Sequence, residues 1–341
     1  MTERSRPAAP PAFPQRLVAA AGADRLDRFV TAALGAPGIS RTMVQRAIAA
    51  GMVRVDGAPG RESMRVPPGA TVVVDGLPRP ESPSLEPEAI PLRVVYEDEH
   101  MAVIDKPRGL VVHPAAGNPS GTLVNALLAR YGRLEVGDDG GAPPEDAGDG
   151  LADFGDDVRP GIVHRLDKDT TGLLAVARTA AAGAGLRRLI AMREMSRRYL
   201  ALVQGRPPQS FSVDAPIGRA ADRRRMAVAQ GGRPARSHAE RVERFAGPPP
   251  YALLDVRLET GRTHQIRVHM AFSGYPVAGD RLYGRPADDA AAGLRLTGQA
   301  LHAYRLDFPH PVTAEPLSLR SPLPPDFAEA LESLRSRGDA G

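Results

Sequence analysis

Gly161-Ile162-Val163-His164-Arg165-Leu166-Asp167-Lys168-Asp169-Thr170-Thr171-Gly172 is the stretch around which the rest of the chain is organised. An apolar run enters it, and a second, Leu173 to Ala177, leaves it. Two short β-like segments therefore flank a turn that is almost wholly polar. Arg165, Asp167, Lys168 and Asp169 fall within five positions, closed by two threonines and a glycine. Local chemistry leaves two readings. Asp167 and Thr170 can form an Asx-type turn with solvated charges around it. Alternatively, the density of charge between core strands marks an active-site loop.

At 341 residues the chain is long enough for two domains, one with a sizeable core. It has no cysteine and no tryptophan, so disulfides and thiolate metal sites are excluded and a reducing cytoplasm is compatible. No run of about twenty apolar residues exists to span a membrane. Met1 to Pro14 is rich in proline and alanine and lacks the apolar centre of a signal peptide. Residues 1–23 are expected to form a disordered tail.

The formal net charge is +4. It understates how basic the rest of the chain is, because nine acidic residues and no basic one lie between Arg133 and Arg159. Setting those nine aside raises the net charge of the remainder from +4 to +13. The cations are nearly all arginine, with lysine only at Lys106 and Lys168. The planar guanidinium suits phosphate and base contacts, so a polyanionic partner is expected, although a GC-rich genome produces the same bias.

The first folded unit is expected over 24–75. Leu26, Phe29, Val30, Ala33 and Leu34 recur at helical spacing. Ser40 is placed to cap a second helix, Arg41 to Ala50, which Gly51 stops. Met52 to Val55 alternates like a strand and meets the hairpin signal Asp56-Gly57, and Val72 to Val74 closes a small sheet. Residues 76–91 carry five prolines without apolar periodicity and read as a stiff linker.

The second domain is expected over 92–330. Val94 to Tyr96 and Met101 to Ile104 are strands, and Thr122 to Leu128 is a short helix. His113, beside Pro114, reads as a structural histidine, since no other metal-type residue lies near it in sequence. Residues 135–157 form a glycine- and aspartate-rich insert with almost nothing to bury, expected to be a solvated loop without calcium-site spacing. Thr179 to Met195 is helical, and Ser196 to Val203 is a strand. Arg223, Arg224 and Arg225 sit in an aperiodic, arginine-dense segment suited to phosphate contacts. Thr263 can cap a helix whose Ile266 and Met270 face inward. Arg267 then lies at the edge of that face, where it can pair with a carboxylate.

The opening stretch resembles the signature of the pseudouridine synthases of the RluA/RluD type, which act on the ribosomal large subunit. Asp105-Lys106-Pro107, His113-Pro114, Tyr199-x-Ala201-x-Val203 and Gln265-Ile266-Arg267 resemble the same family. Residues 24–75 resemble an S4 RNA-binding domain through Arg25-Leu26-Asp27, Ser40-Arg41 and Gly51-x-Val53-x-Val55. The implied fold class is α+β: a small S4-like RNA-binding domain, then a catalytic domain on a mixed, largely antiparallel sheet.

The resemblance implies that Asp167 is the catalytic residue, with Arg267 as its partner and Tyr199 beside it. From the residues alone, Tyr199 is an ordinary strand aromatic. The resemblance further implies that His164, Arg165, Leu166 and Thr170 contact the substrate, and that Arg25, Arg41 and Arg46 face RNA. Uridine-to-pseudouridine isomerisation conserves all atoms and changes no oxidation state. No cofactor is therefore expected, in keeping with the lack of a dinucleotide fingerprint or P-loop. The chemistry needs an anionic carboxylate at the sugar–base junction, acting as nucleophile or as base. The implied partner is ribosomal RNA, at the helix 69 region of 23S RNA, modified by a cytoplasmic monomer. Two other readings stay open on sequence: a non-catalytic RNA-binding protein with the same fold, and a nucleoside glycosidase.

Overall fold

The structure, a computed structural model, describes residues 13–21, 23, 25–35, 39, 41–77, 86–114, 118–132, 161–220 and 225–338. The chain divides into two compact units, Met1–Ser84 and Leu85–Gly341. The helix cap expected at Ser40, Arg223 and Arg224, and the acidic insert 135–157 all lie outside the described residues.

In the first unit β1 (Gln15–Val18) precedes α1 (Leu26–Leu34) and α2 (Arg41–Ala49). Then come β2 (Val53–Val55), β3 (Ala58–Pro59) and β4 (Thr71–Val74). The sheet order is β1-β4-β2-β3. Leu26, Val30, Val44, Ala47 and Ile48 bring the apolar stripes of the two helices onto Val53, Val55, Val72 and Val74. Asp56 (φ 49°) and Gly57 (φ 83°) both adopt the left-handed conformation that a two-residue hairpin demands.

The strand β1 corrects the expected 1–23 tail. Gln15 to Val18 pairs antiparallel with Val74 to Thr71, and Ala19 is buried behind it. Four residues beside a proline-rich segment carry too little pattern to be seen locally. Their stability comes from the open edge of β4.

The second unit opens earlier than expected, at the end of the presumed linker. Glu88 N–H donates to Asn125 O, Asn125 Nδ2 donates to Glu86 O, and Ile90 packs on the core. Its elements begin β5 (Arg93–Glu97), β6 (Met101–Lys106), α3 (Leu123–Tyr131), β7 (Thr171–Ala177) and α4 (Ala180–Ala191). They continue β8 (Ser196–Gln204), β9 (Ser210–Asp214), β10 (Ile217–Arg219), β11 (Met226–Val228), β12 (Arg236–Phe245) and β13 (Tyr251–Leu258). The last are α5 (Gln265–Phe272), α6 (Pro286–Ala291), β14 (Leu301–Pro309), β15 (Pro316–Arg320) and α7 (Pro325–Gly338). Phe327, Ala330, Leu331 and Leu334 bury one side of α7, so the domain runs past the expected boundary at 330.

The main sheet has the order β5-β6-β7-β14-β8-β13-β12-β9, with β15 added on β14. Every pairing in it is antiparallel except β7 with β14. The expected mixed, largely antiparallel sheet is therefore present. Period-two alternation splits its side chains between two faces. Ala102, Ile104, Ala201, Val203 and Val256 pack under α3 and α5, whereas Met101, Val103, Leu173 and Ala175 meet α4. β7 is buried throughout, as expected for a central strand covered on both faces.

Candidate active site

Asp167 sits in the loop that enters β7, Tyr199 on β8, and Arg267 in the first turns of α5. Backbone register brings the three together. Ala303 of β14 pairs with Gly172 on one side and Tyr199 on the other, so the charged loop ends one strand away from the tyrosine. Gly172 has φ 106°, and a Cβ there would lie 2.3 Å from Ala303 O. Only glycine allows this approach.

Two of the loop's backbone carbonyls and one of its hydroxyls are tied to neighbouring segments. Lys106 Nζ, fully buried, donates 2.9 Å bonds to Pro107 O, Leu110 O and Lys168 O. Arg108 Nη1 donates to Asp169 O and Gln299 O at 2.6 and 2.9 Å. Gln299 Nε2 donates in turn to the Thr170 hydroxyl at 3.1 Å. Burial pushes the Lys106 ammonium down to about 7, against the pull of Asp167 and Asp169.

The Asp167 carboxylate accepts from Arg267 Nη1 through Oδ2 at 2.9 Å. The other edge of the same guanidinium forks onto Asp280, with Nε to Oδ2 at 2.7 Å and Nη2 to Oδ1 at 3.0 Å. Asp280 is itself fixed by the N–H groups of Leu282 and Tyr283 on Oδ1. Burial pushes the Asp167 carboxyl up. The charges of His264 and Arg267, the hydrogen bond from Arg267 and the charge of Arg165 outweigh it, and hold the group below the usual carboxylate range. Burial also lowers His264, with the charge of Asp167 opposing it and those of Arg267 and Arg165 adding to it. The site thus offers a desolvated, oriented anion.

Two cavities meet at this carboxylate. One is lined by Arg165, Asp167, Arg197, Tyr199, His264 and Arg267 among others. The other lies toward Val112, His113, Lys168 and Gln299. Arg165, Leu166, Asp167, His264 and Arg267 border both. Among the described residues, no group of His, Asp and Glu side chains is arranged to hold a metal ion. No helix among them is long and apolar enough to cross a membrane.

The structure sorts the sequence-derived residues by what their atoms face. Asp167, Tyr199, Arg267 and Arg165 border the first cavity, and the buried Arg165 Nε finds no hydrogen-bond partner in the protein. His164 borders it too, but its Nε2 accepts the Ala175 N–H at 3.0 Å and so serves β7. Leu166 and Thr170 border it as well; Leu166 also belongs to the core, and the Thr170 hydroxyl accepts from Gln299. Thr263 is not the cap of α5; His264 takes that position in a left-handed conformation, φ 57°.

In the first unit Arg25 and Arg41 converge on the buried Asp27, with contacts of 2.7–3.0 Å, and Gln45 Nε2 adds a 2.8 Å bond. Arg46 is exposed in the last turn of α2, and Arg225 is exposed immediately before β11.

Sequence reading missed Asp280, His264 and Arg197. Asp280 had one local signal: it is the lone acid between Glu259 and Asp288 and follows the apolar run Tyr275 to Ala278. Arg197 lies two positions before Tyr199 on the same strand face.

The family profile described as RNA pseudouridylate synthase matches residues 100–272. An uncharacterized RNA pseudouridine synthase of Chloroflexus aurantiacus is 46% identical over 316 residues, covering 92% of this chain and 91% of its own. A ribosomal large subunit pseudouridine synthase D of Nitrosomonas europaea is 44% identical over 316 residues, covering 92% and 85%. Among solved structures, human RNA pseudouridylate synthase domain containing 4 superposes with a TM-score of 0.52 at 25% identity, covering 71% of this chain and 92% of that one.

Proposed function

Because the chain belongs to the RNA pseudouridylate synthase family and is an RNA uridine isomerase, we propose that Asp167 is its catalytic carboxylate and large-subunit ribosomal RNA its substrate. The relatives named for the ribosomal large subunit support that substrate. The helix 69 region of 23S RNA is the target we infer within it, and the cytoplasm the place of action of a monomer.

The observation that carries the reading is the arrangement around one carboxylate. Asp167 Oδ2 is held by Arg267 at 2.9 Å, which leaves Oδ1 unengaged by that arginine, and the residue borders the same cavity as Tyr199. Isomerisation breaks the bond from ribose C1′ to uracil N1 and forms one from C1′ to C5. The C5 proton leaves and N1 gains one. An anion beside C1′ stabilises the detached sugar, and Arg267 keeps that anion deprotonated. Tyr199, on the cavity wall, packs against the uracil while the base turns. Arg165 has a buried donor to offer a nucleotide drawn out of its stack.

We read the first unit as an S4-like RNA-binding module. Arg25, Arg41 and Arg46 contribute phosphate contacts from it, joined by Arg223, Arg224 and Arg225 of the second unit. Asp27 pre-orders Arg25 and Arg41 for that task. Deleting residues 1–84 should weaken RNA binding and flatten its salt dependence while leaving conversion at saturating enzyme.

Single-turnover conversion of uridine to pseudouridine in large-subunit RNA tests the central claim. Asp167→Asn should lose several orders of magnitude in rate with little change in RNA affinity. A rate within about tenfold of wild type, some 1.4 kcal/mol, is too small for an essential nucleophile or base and would return Asp167 to the role of a turn residue.

A further inference from the structure

His264 is the lining residue with a left-handed backbone and a side chain (φ 57°, ψ 19°). Such a conformation costs a β-carbon-bearing residue energy and persists where surroundings over-determine it. Here the imidazole is fixed from one side. Met226 N–H donates to Tyr283 Oη at 3.0 Å, and Tyr283 Oη lies 2.9 Å from His264 Nδ1. With its oxygen accepting from the backbone, the phenol directs its hydrogen to Nδ1. A neutral imidazole accepting at Nδ1 carries its proton on Nε2. That Nε2 lies 4.0 Å from Asp167 Oδ1, the oxygen not engaged by Arg267.

A separation of 4.0 Å is too long for a direct hydrogen bond. It is right for one oxygen seated about 2.8 Å from both atoms. That oxygen must accept from Nε2–H and donate to a carboxylate. A carbonyl of uracil or the ring oxygen of ribose can only accept, and would face Oδ1 lone pair to lone pair. A hydroxyl satisfies both. The hydroxyl nearest the sugar–base junction is the ribose 2′-hydroxyl, which also separates RNA from DNA.

We propose that His264 Nε2–H and Asp167 Oδ1 together bind the 2′-hydroxyl of the target uridine, making His264 a substrate-binding residue that selects ribose. Tyr283 is its positioning residue through the tautomer it imposes. The proposal rests on the reading of Asp167 as the reacting carboxylate. It needs no movement of Arg267, since the two carboxylate oxygens are used separately.

The test is a cycle between protein and substrate. A stem-loop of large-subunit sequence that the wild type modifies is synthesised with ribose or 2′-deoxyribose at the modified position. Single-turnover rates are measured for wild type, His264→Gly, His264→Gln and Tyr283→Phe. Glycine relieves the left-handed strain, so the truncation should fold, and melting curves check it. Wild type should lose at least tenfold on the deoxy substrate. His264→Gly should lose a similar factor on the ribose substrate and little more on the deoxy one. His264→Gln keeps a terminal N–H donor and should recover part of the loss, with Tyr283→Phe intermediate. Losses that multiply independently, or a His264→Gly enzyme as fast as wild type on ribose, would overturn the proposal. Asp167→Asn is run alongside. Retained activity there sinks the reading of Asp167, whereas an inactive Asp167→Asn with independent His264 losses sinks the 2′-hydroxyl contact alone.

Discussion

Asp280 grips Arg267 along one guanidinium edge, at 2.7 and 3.0 Å, and so aims the opposite edge at Asp167. One buried carboxylate orients the cation, and a second receives it. The fork geometry of arginine is what makes the relay possible, since a lysine in that place has one point of charge and no second edge.

Replacing Asp280 with asparagine should therefore lower the single-turnover rate by about 10–100-fold, a loss near 1.4–2.7 kcal/mol of transition-state stabilisation. RNA affinity should barely move. Stability should also drop, because Arg267 stays buried with half its partners. Equal activity in a folded Asp280→Asn protein would show that Arg267 is aimed by something else.

Gly172→Ala introduces a Cβ 2.3 Å from Ala303 O at a φ of 106°. The β7–β14 pairing must open to admit it, at a cost of about 3 kcal/mol. Because Ala303 also pairs with Tyr199, the site should loosen along with the fold. Thermal melting and turnover should fall together. A melt unchanged from wild type would mean that the strands part more easily than their packing implies.

Lys106 ties three backbone carbonyls and is pushed down to about 7 from 10.5 by burial. Between those values the unfolded chain binds a proton that the folded chain does not, so this residue makes stability rise with pH. Below about 7 both states hold the proton and the penalty for burying the charge is constant. The stability of wild type relative to Lys106→Met should accordingly grow from about pH 7.5 to 9.5, by up to about 1.4 kcal/mol per pH unit. Chemical denaturation at a series of pH values checks it; parallel curves would place the Lys106 proton elsewhere.

Asp27→Asn removes the carboxylate that Arg25, Arg41 and Gln45 share. Loss of these charge-assisted bonds should cost the first unit about 1.5–3 kcal/mol. The same three arginyl and amide contacts hold Asp27 below its ordinary carboxylate range, with Arg25 the largest contributor and burial opposing. Stability from this group is present above about pH 4 and is lost as pH falls through the folded-state value. Hydrogen exchange in residues 26–34 and 41–49 should report the loosening, and protection equal to wild type in the variant would count against the network.

The chain itself determined more than its elements. The apolar periods of Leu26 to Leu34 and Leu123 to Leu128, the hairpin signal Asp56-Gly57 and the all-apolar run after Gly172 are local, so propensity and pattern suffice to read them. Asp167 and Arg267 were legible for a related reason. Each lies in a short block where charge interrupts an apolar segment, and the blocks match a family. Composition misled where a segment depends on a distant partner. Gln15 to Val18 has almost no pattern of its own and is a strand only because β4 offers an edge 53 to 59 residues away.

Only the tertiary structure decided the site's geometry. The Gly172–Ala303–Tyr199 register joins residues more than a hundred positions apart. The clamp of Asp280 on Arg267, the left-handed turn at His264 in place of a Thr263 cap, and the Lys106 bonds to loop carbonyls follow from it. Sequence carries which groups are present. Their pairing is set by close packing and by the cost of leaving buried polar atoms unbonded, and both act between segments that the chain's order does not bring together.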